Sequence, residues 1–360
     1  MNTDYAVELD CVHKVYYTRH FFFRDEETGR RRMYSKKTVH AAQDVRFGIR
    51  PGEIFGLLGP NGAGKTSCVK MISGLVRPTS GKVYVEGMHV EKKRLKVLRR
   101  VGVVLEGTRT VIWPLTPLEN LSYFGNLRGV RGKVLKDRAR HLIEFIGLKD
   151  KMNVQVRRLS RGQRQRLAIC IALIADPSVI LLDEPTTGLD VQSSRAIREK
   201  VREMAHVFNK SVLVTTHDMF VAQDLCDRIG IIDKGRLIAC RATGELLDVF
   251  SDKTFEFRLD RRPDPDAFRD VPGIQDAWIE DETDGPVFLI RVTEDEEQRS
   301  EALYGVFARL RAGGFRLRSV SQRQQTLENV FLRLTESAVH HPPAMESGRR
   351  DNREGGAAPR

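Results

Sequence analysis

Short apolar runs recur through the first 240 residues, separated by stretches whose apolar positions fall at helical spacing. IFGLL (Ile54 to Leu58), VGVVL (Val101 to Leu105), VILLD (Val179 to Asp183), VLVTT (Val212 to Thr216) and IGIID (Ile229 to Asp233) read as strands. Strands alternating with helices predict a mainly parallel α/β sheet. A helix should begin at Thr116-Pro117-Leu118-Glu119, because Thr caps well, Pro suits the first helical position and Glu at the third completes a capping box. From there to Asp150 the pattern stays helical, so a helical subdomain, about residues 107–160, interrupts the sheet.

The pattern changes near Arg241. FEFRL (Phe255 to Leu259), VFLIRV (Val287 to Val292) and FRLRSV (Phe315 to Val320) predict strands, with helices over Glu297 to Arg311 and Leu327 to Leu334. Residues 241–337 are therefore expected to form a small α/β domain of ferredoxin-like kind. Beyond 338 the chain lacks the apolar residues to offset its ordering entropy, and 338–360 is expected to be a disordered tail.

Composition adds exclusions. No apolar run approaches the roughly 20 residues of a membrane-spanning helix, and MNTDYAVELD has no basic-then-apolar pattern, so neither a transmembrane segment nor a secretory signal is expected. Cys11, Cys68, Cys170, Cys226 and Cys240 are scattered and odd in number, which predicts reduced thiols in a cytoplasmic protein. The His residues show no metal-ligand spacing; His340 and His341 read as solvated tail residues. A net charge of +12 calls for an anionic partner. The basic runs RRRM, KKRLKVLRR and RGKVLKDRAR carry no interleaved aromatics for base stacking and read as solvated faces.

The chemistry sits in two stretches. Gly59-Pro60-Asn61-Gly62-Ala63-Gly64-Lys65-Thr66-Ser67 follows a strand and opens a helix, the context of a phosphate-binding loop. Its backbone N–H groups would face the β- and γ-phosphates, Lys65 would add charge to the same oxygens, and the Thr66 hydroxyl would ligate Mg²⁺. In VILLDEP a buried strand ends in Asp183, suited to hold Mg²⁺ through water, and Glu184, suited to polarise a water for in-line attack. Far from the first loop, LSRGQ (Leu159 to Gln163) opens another helix and forms a second anion site.

The phosphate loop, LSRGQ, VILLDEP, TTGLD (Thr186 to Asp190) and TTHD (Thr215 to Asp218), in their chain positions, resemble the nucleotide-binding subunit of ATP-binding-cassette (ABC) transporters over about residues 1–240. The resemblance implies a P-loop NTPase core with an antiparallel β subdomain and an inserted helical subdomain. It implies an ATPase using ATP and Mg²⁺, separate integral-membrane permease subunits, and a second copy of the chain or a paralogous cassette packed head to tail; no specific nucleic-acid partner is expected.

In such a pair Ser160, Gly162 and Gln163 match the signature that grips ATP bound to the partner, His217 the histidine that contacts the γ-phosphate, and Asp190 the aspartate that crosses the interface. Arg161 stands where Gly is commoner. Glu106 stands where Gln is usual and puts a carboxylate near the γ-phosphate, with Mg²⁺ to offset it. Tyr16 matches the aromatic that stacks on adenine, but YTRHFFFRDEETGRRRMYSKK, an insertion of about 18–37, leaves Tyr17 and Tyr34 as rivals. VVLEGTRT and the ending TLENVFLRLTE look like the daunorubicin-resistance branch of drug exporters, with polysaccharide or lipid export the alternative and a ribosome- or nucleic-acid-acting cassette a more distant one.

Overall fold

The computed structural model describes residues 4–24, 31–107, 110–249, 253–282, 285–293, 295–323, 326–331 and 334, with backbone alone for 18–24, 31–37, 248, 249 and 282. In chain order the strands are β1 (Val7–Arg24), β2 (Arg31–Ile49), β3 (Ile54–Leu58), β4 (Ser80–Val85), β5 (Met88–His89), β6 (Val101–Val104), β7 (Val179–Asp183), β8 (Ser211–Thr216), β9 (Arg228–Asp233), β10 (Arg236–Ala242), β11 (Thr254–Leu259), β12 (Ile274–Glu282), β13 (Gly285–Val292) and β14 (Leu317–Gln322). The helices are α1 (Lys65–Ile72), α2 (Arg94–Arg100), α3 (Pro117–Leu127), α4 (Gly132–Phe145), α5 (Arg161–Leu173), α6 (Val191–Arg202), α7 (Met219–Leu225), α8 (Thr243–Val249) and α9 (Glu296–Ala312).

A six-stranded sheet, order β10-β9-β3-β8-β7-β6, forms the centre. All its pairings are parallel except that of β10 with β9. β3, β7 and β8 are buried along their whole length, and successive residues feed opposite cores, as the period of a strand demands. Ile54, Leu58, Ile180, Leu182, Val212 and Val214 pack on the side of α5 and the helical subdomain. Phe55, Leu57, Val179, Leu181 and Leu213 pack on the side of α1 and the four-stranded sheet β2-β1-β4-β5.

The insertion at 18–37 is a continuation of one hairpin. Past bulges between Leu9 and Val15, β1 and β2 pair residue for residue from Tyr16↔Val39 through Thr18↔Lys37 to Arg24↔Arg31. Over the described residues 18–24 and 31–37 the chain therefore stays in the sheet, the two segments facing each other across an antiparallel ladder. The helix start at Thr116 has both halves of its capping box: Thr116 Oγ1 accepts from the Glu119 N–H (3.2 Å) and the Thr116 N–H donates to Glu119 Oε2 (2.8 Å).

The C-terminal sheet has order β12-β13-β11-β14, every neighbour antiparallel. That is the strand order of a split βαβ sheet, with α9 as one crossover and only a short 3₁₀ turn, Pro265–Phe268, in the other. β12 was not among the expected strands. Residues 327–331, expected to belong with this sheet, are helical but bury Leu327 and Val330 in the cassette core beside Ala222 and Leu225. The Leu327 N–H also donates to Gln223 Oε1 (3.2 Å). The expected tail, 338–360, lies outside the described residues.

Candidate active site

Strands of a parallel sheet all deliver their C-terminal ends to one edge, where an open α/β sheet binds ligands. Here β3 leads into Gly59, β7 into Glu184, β8 into His217, and β6 is followed after one residue by Glu106. The loop after β3 closes tightly. Gly64 adopts φ 110°, which an L side chain rarely takes, and a Cβ there would fall on the Ala41 carbonyl. The first turn of α1 carries no acidic residue, so its free N–H groups meet no carboxylate of their own helix. Lys65 is nearly buried, and its ammonium donates to the carbonyls of Gly59 (2.7 Å) and Pro60 (3.2 Å).

Glu184 is held from several directions. It adopts φ 50°, and its N–H donates to the Thr215 carbonyl and hydroxyl, each at 3.1 Å. Oε2 accepts from the Thr187 hydroxyl (2.7 Å) and lies 2.9 Å from His217 Nδ1. Oε1 stands 3.4 Å from Lys65 Nζ, an ion-pair distance without a directed hydrogen bond. Asp183, fully buried, uses Oδ1 to accept from Thr215 (2.5 Å) and Thr66 (3.2 Å). Its Oδ2 is buried with no hydrogen-bond partner.

A buried carboxylate oxygen without a partner is costly, and a hard cation with oxygen ligands answers that need. Asp183 and the adjoining Thr66 hydroxyl form an all-oxygen donor set that fits Mg²⁺. The glycine loop, the helix N-terminus and Lys65 fit the phosphates of a nucleotide.

A cleft of about 580 Å³ gathers most of the expected residues: Pro60 to Ser67 of the loop, Glu184 and His217, with Tyr16 and Glu106 at its sides. Gly59 and Asp183 do not line it; they act from behind, through Lys65 and Thr66. Tyr16 lies beside its cross-strand neighbour Val39 in the cleft wall, with the Lys14 ammonium 4.9 Å from its ring. Tyr17 is not among the lining residues and is 61 % exposed, and the Tyr34 side chain lies outside the described residues.

Ser160, Gly162, Gln163 and Asp190 are not in this cleft. Ser160 caps α5 in a reciprocal box with Gln163 (3.2 and 2.9 Å), and Gly162 faces Ser193 of α6. Asp190 caps α6, accepting from the Ser193 N–H and hydroxyl at 2.8 Å each, and these bonds hold its carboxyl below the usual carboxylate range. A second cavity of about 600 Å³, lined by Arg161, Arg164, Gln165 and Trp113, adjoins the cleft through shared Glu106, Glu184 and Thr187. Thr187 and Thr215 hold the two acids, a role that the sequence signals only by their hydroxyls beside DEP and HD.

The family model of the ABC transporter matches residues 42–187. The linearmycin resistance ATP-binding protein LnrL of Bacillus subtilis is 31% identical over 310 residues, 85% of this chain and 96% of that protein. A Nod factor export ATP-binding protein I from Burkholderia lata is 37% identical over 291 residues, 81% of this chain and 90% of that protein. Among solved structures, a dimeric, ADP- and Pi-bound form of the ATP-binding cassette MJ0796 superposes with TM-score 0.56 and 28% identity, covering 66% of this chain and 98% of that one. Similarity that runs the length of such relatives takes in the loop, both acids and the folded frame that brings them together. The chain accordingly belongs to the ATP-binding proteins of the ABC transporter family and is an ATPase acting on ATP with Mg²⁺.

Proposed function

We propose that the chain hydrolyses ATP as one half of a head-to-tail pair and so powers export by a separate membrane permease. The observation that carries this reading is the separation of the two anion sites. The signature residues Ser160, Gly162 and Gln163 lie outside the cleft formed by the phosphate loop of the same chain. A second copy, or a paralogous cassette, would bring its signature to that cleft. The MJ0796 cassette, 28% identical to this chain, is described as dimeric. Among the described residues no helix is long and apolar enough to cross a membrane, which suits a chain that relies on another subunit for the pathway.

In this reading Lys65 binds the β- and γ-phosphates and the loop amides orient them, while Tyr16 offers its ring to the adenine. Thr66, and Asp183 through water, would hold Mg²⁺, which would supply positive charge to offset the phosphates, with Glu106 as a further carboxylate in reach of the cleft. Glu184 accepts a hydrogen bond from the attacking water, and His217 and Thr187 hold Glu184 in line. Asp190 sits on the face that the partner would meet.

For the cargo, the resemblance to relatives named for Nod factor export favours polysaccharide or lipid export over the daunorubicin-type drug reading, and the linearmycin resistance relative keeps resistance-type export in the class. Tagged chain should co-purify an integral membrane protein from detergent-solubilised membranes, and in vesicles the complex should hydrolyse ATP faster with a lipid-linked saccharide than with a cationic drug. Recovery of ribosomes or nucleic acid instead would overturn the export reading.

A further inference from the structure

Arg161, the residue that departs from Gly in the signature, reaches into its own chain's catalytic loop. Its guanidinium donates to the Thr187 carbonyl at 2.9 Å. Thr187 is tied to Glu184 by its other two polar groups: its N–H donates to the Glu184 carbonyl at 3.3 Å and its hydroxyl to Glu184 Oε2 at 2.7 Å. One residue, Thr187, therefore joins the signature, through its carbonyl, to the carboxylate that faces the phosphates, through its hydroxyl.

The next residue decides how firmly that carbonyl is held. Gly188 takes φ +69°, and a Cβ there would meet the Arg161 guanidinium. Without a side chain, a left-handed Gly leaves the preceding peptide free to turn. The planar fork of an Arg lying across it removes that freedom in a way a single ammonium cannot. A second contact keeps the elements together, since Gly162 of α5 approaches Ser193 in the first turn of α6.

We infer that Arg161 is a positioning residue for Glu184, acting within one chain through the carbonyl and hydroxyl of Thr187. The inference deepens the head-to-tail reading and depends on it for its consequence. A signature that engages the partner's nucleotide would transmit its position to the Glu184 of its own chain, so that the two sites of a pair are linked by this side chain.

A double-mutant cycle in the full-length chain tests this, with kcat and KM measured for Arg161→Gly, Thr187→Val and the two together. Arg161→Gly should lower kcat by up to about a hundredfold, the scale of a 1 Å misplacement of a reacting group, with KM for ATP close to wild type. In the Thr187→Val background it should cost nothing further, because the path is already cut. Arg161→Lys, which restores one donor, should recover part of the loss and guards against a variant that merely folds poorly.

Losses that multiply in the double variant, or a rise in KM at unchanged kcat, would overturn the inference and point to contact with the partner's nucleotide. Failure of the head-to-tail reading is read separately, from mixed pairs of Lys65→Ala and Ser160→Arg chains. A non-additive cycle with inactive mixed pairs would keep the link and remove the pair.

Discussion

Glu184 shows how much of a residue's role depends on what surrounds it. A carboxylate held by Thr187 and His217, on a residue whose own N–H donates to Thr215, is pre-aimed, so removing its charge should affect the chemical step and leave binding intact. Glu184→Gln is expected to lower turnover by about 10²–10⁴, the range of a general base, while Mg·ATP binding persists and an ATP-bound dimer accumulates on size exclusion. Wild-type turnover in that variant would exclude Glu184 as the base. Glu106 is exposed at the shared edge of cleft and second cavity. A carboxylate there repels phosphate but attracts a hard cation. Glu106→Gln should keep measurable ATPase activity and shift its Mg²⁺ dependence; superimposable Mg²⁺ titrations of variant and wild type would remove the metal from its role.

At the scale of elements, the capped helices set where the reactive groups stand. Asp190 starts α6 immediately after the loop that carries Glu184 and Thr187, and its carboxyl is held below its ordinary range by the Ser193 N–H and hydroxyl. A carboxyl whose folded-state pKa is depressed adds stability above its unfolded pKa of about 3.9 and loses it as pH falls through the folded value. Asp190→Asn keeps an acceptor at the cap but no charge. The melting temperature of wild type should exceed that of the variant at pH 7, and the gap should close as pH falls below about 4. A gap independent of pH would mean that the carboxylate charge contributes nothing there. The capping boxes at Thr116 and Ser160 were partly readable in advance: the first from Thr-Pro-x-Glu, the second only as an anion site, although Ser-x-x-Gln is the same device. β12 has no legible strand pattern for a physical reason. IQDAWIEDE is rich in acids, and over its described side chains, 274–281, Ala277 alone is buried, so it carries no alternation of a core strand.

For the whole molecule, the separation of Ser160 from its own phosphate loop has a direct test. Lys65→Ala disables a chain as phosphate binder yet leaves its signature intact, whereas Ser160→Arg does the reverse. Each homodimer should be inactive. A purified heterodimer carries one site with both parts intact and one with both lesions, so ATP-dependent closure should return at a single site. No closure in a verified heterodimer would count against exchange of signatures between chains.

The sequence by itself determined the buried strands, the phosphate loop, the Asp183-Glu184 pair and the nucleotide chemistry they imply. These are local demands: a strand covered on both faces must be apolar throughout, and a loop that wraps phosphate needs Gly, Lys and Thr in adjacent positions. Tertiary structure alone decided that Thr215 secures both acids, that Leu327 and Val330 return to the cassette core, and that the insertion prolongs a hairpin. It also decided that Arg161 meets Thr187, a residue 26 positions away. Hydrogen bonds and packing between residues far apart in the chain leave no periodic trace in either segment, so only the fold that brings them together reveals them.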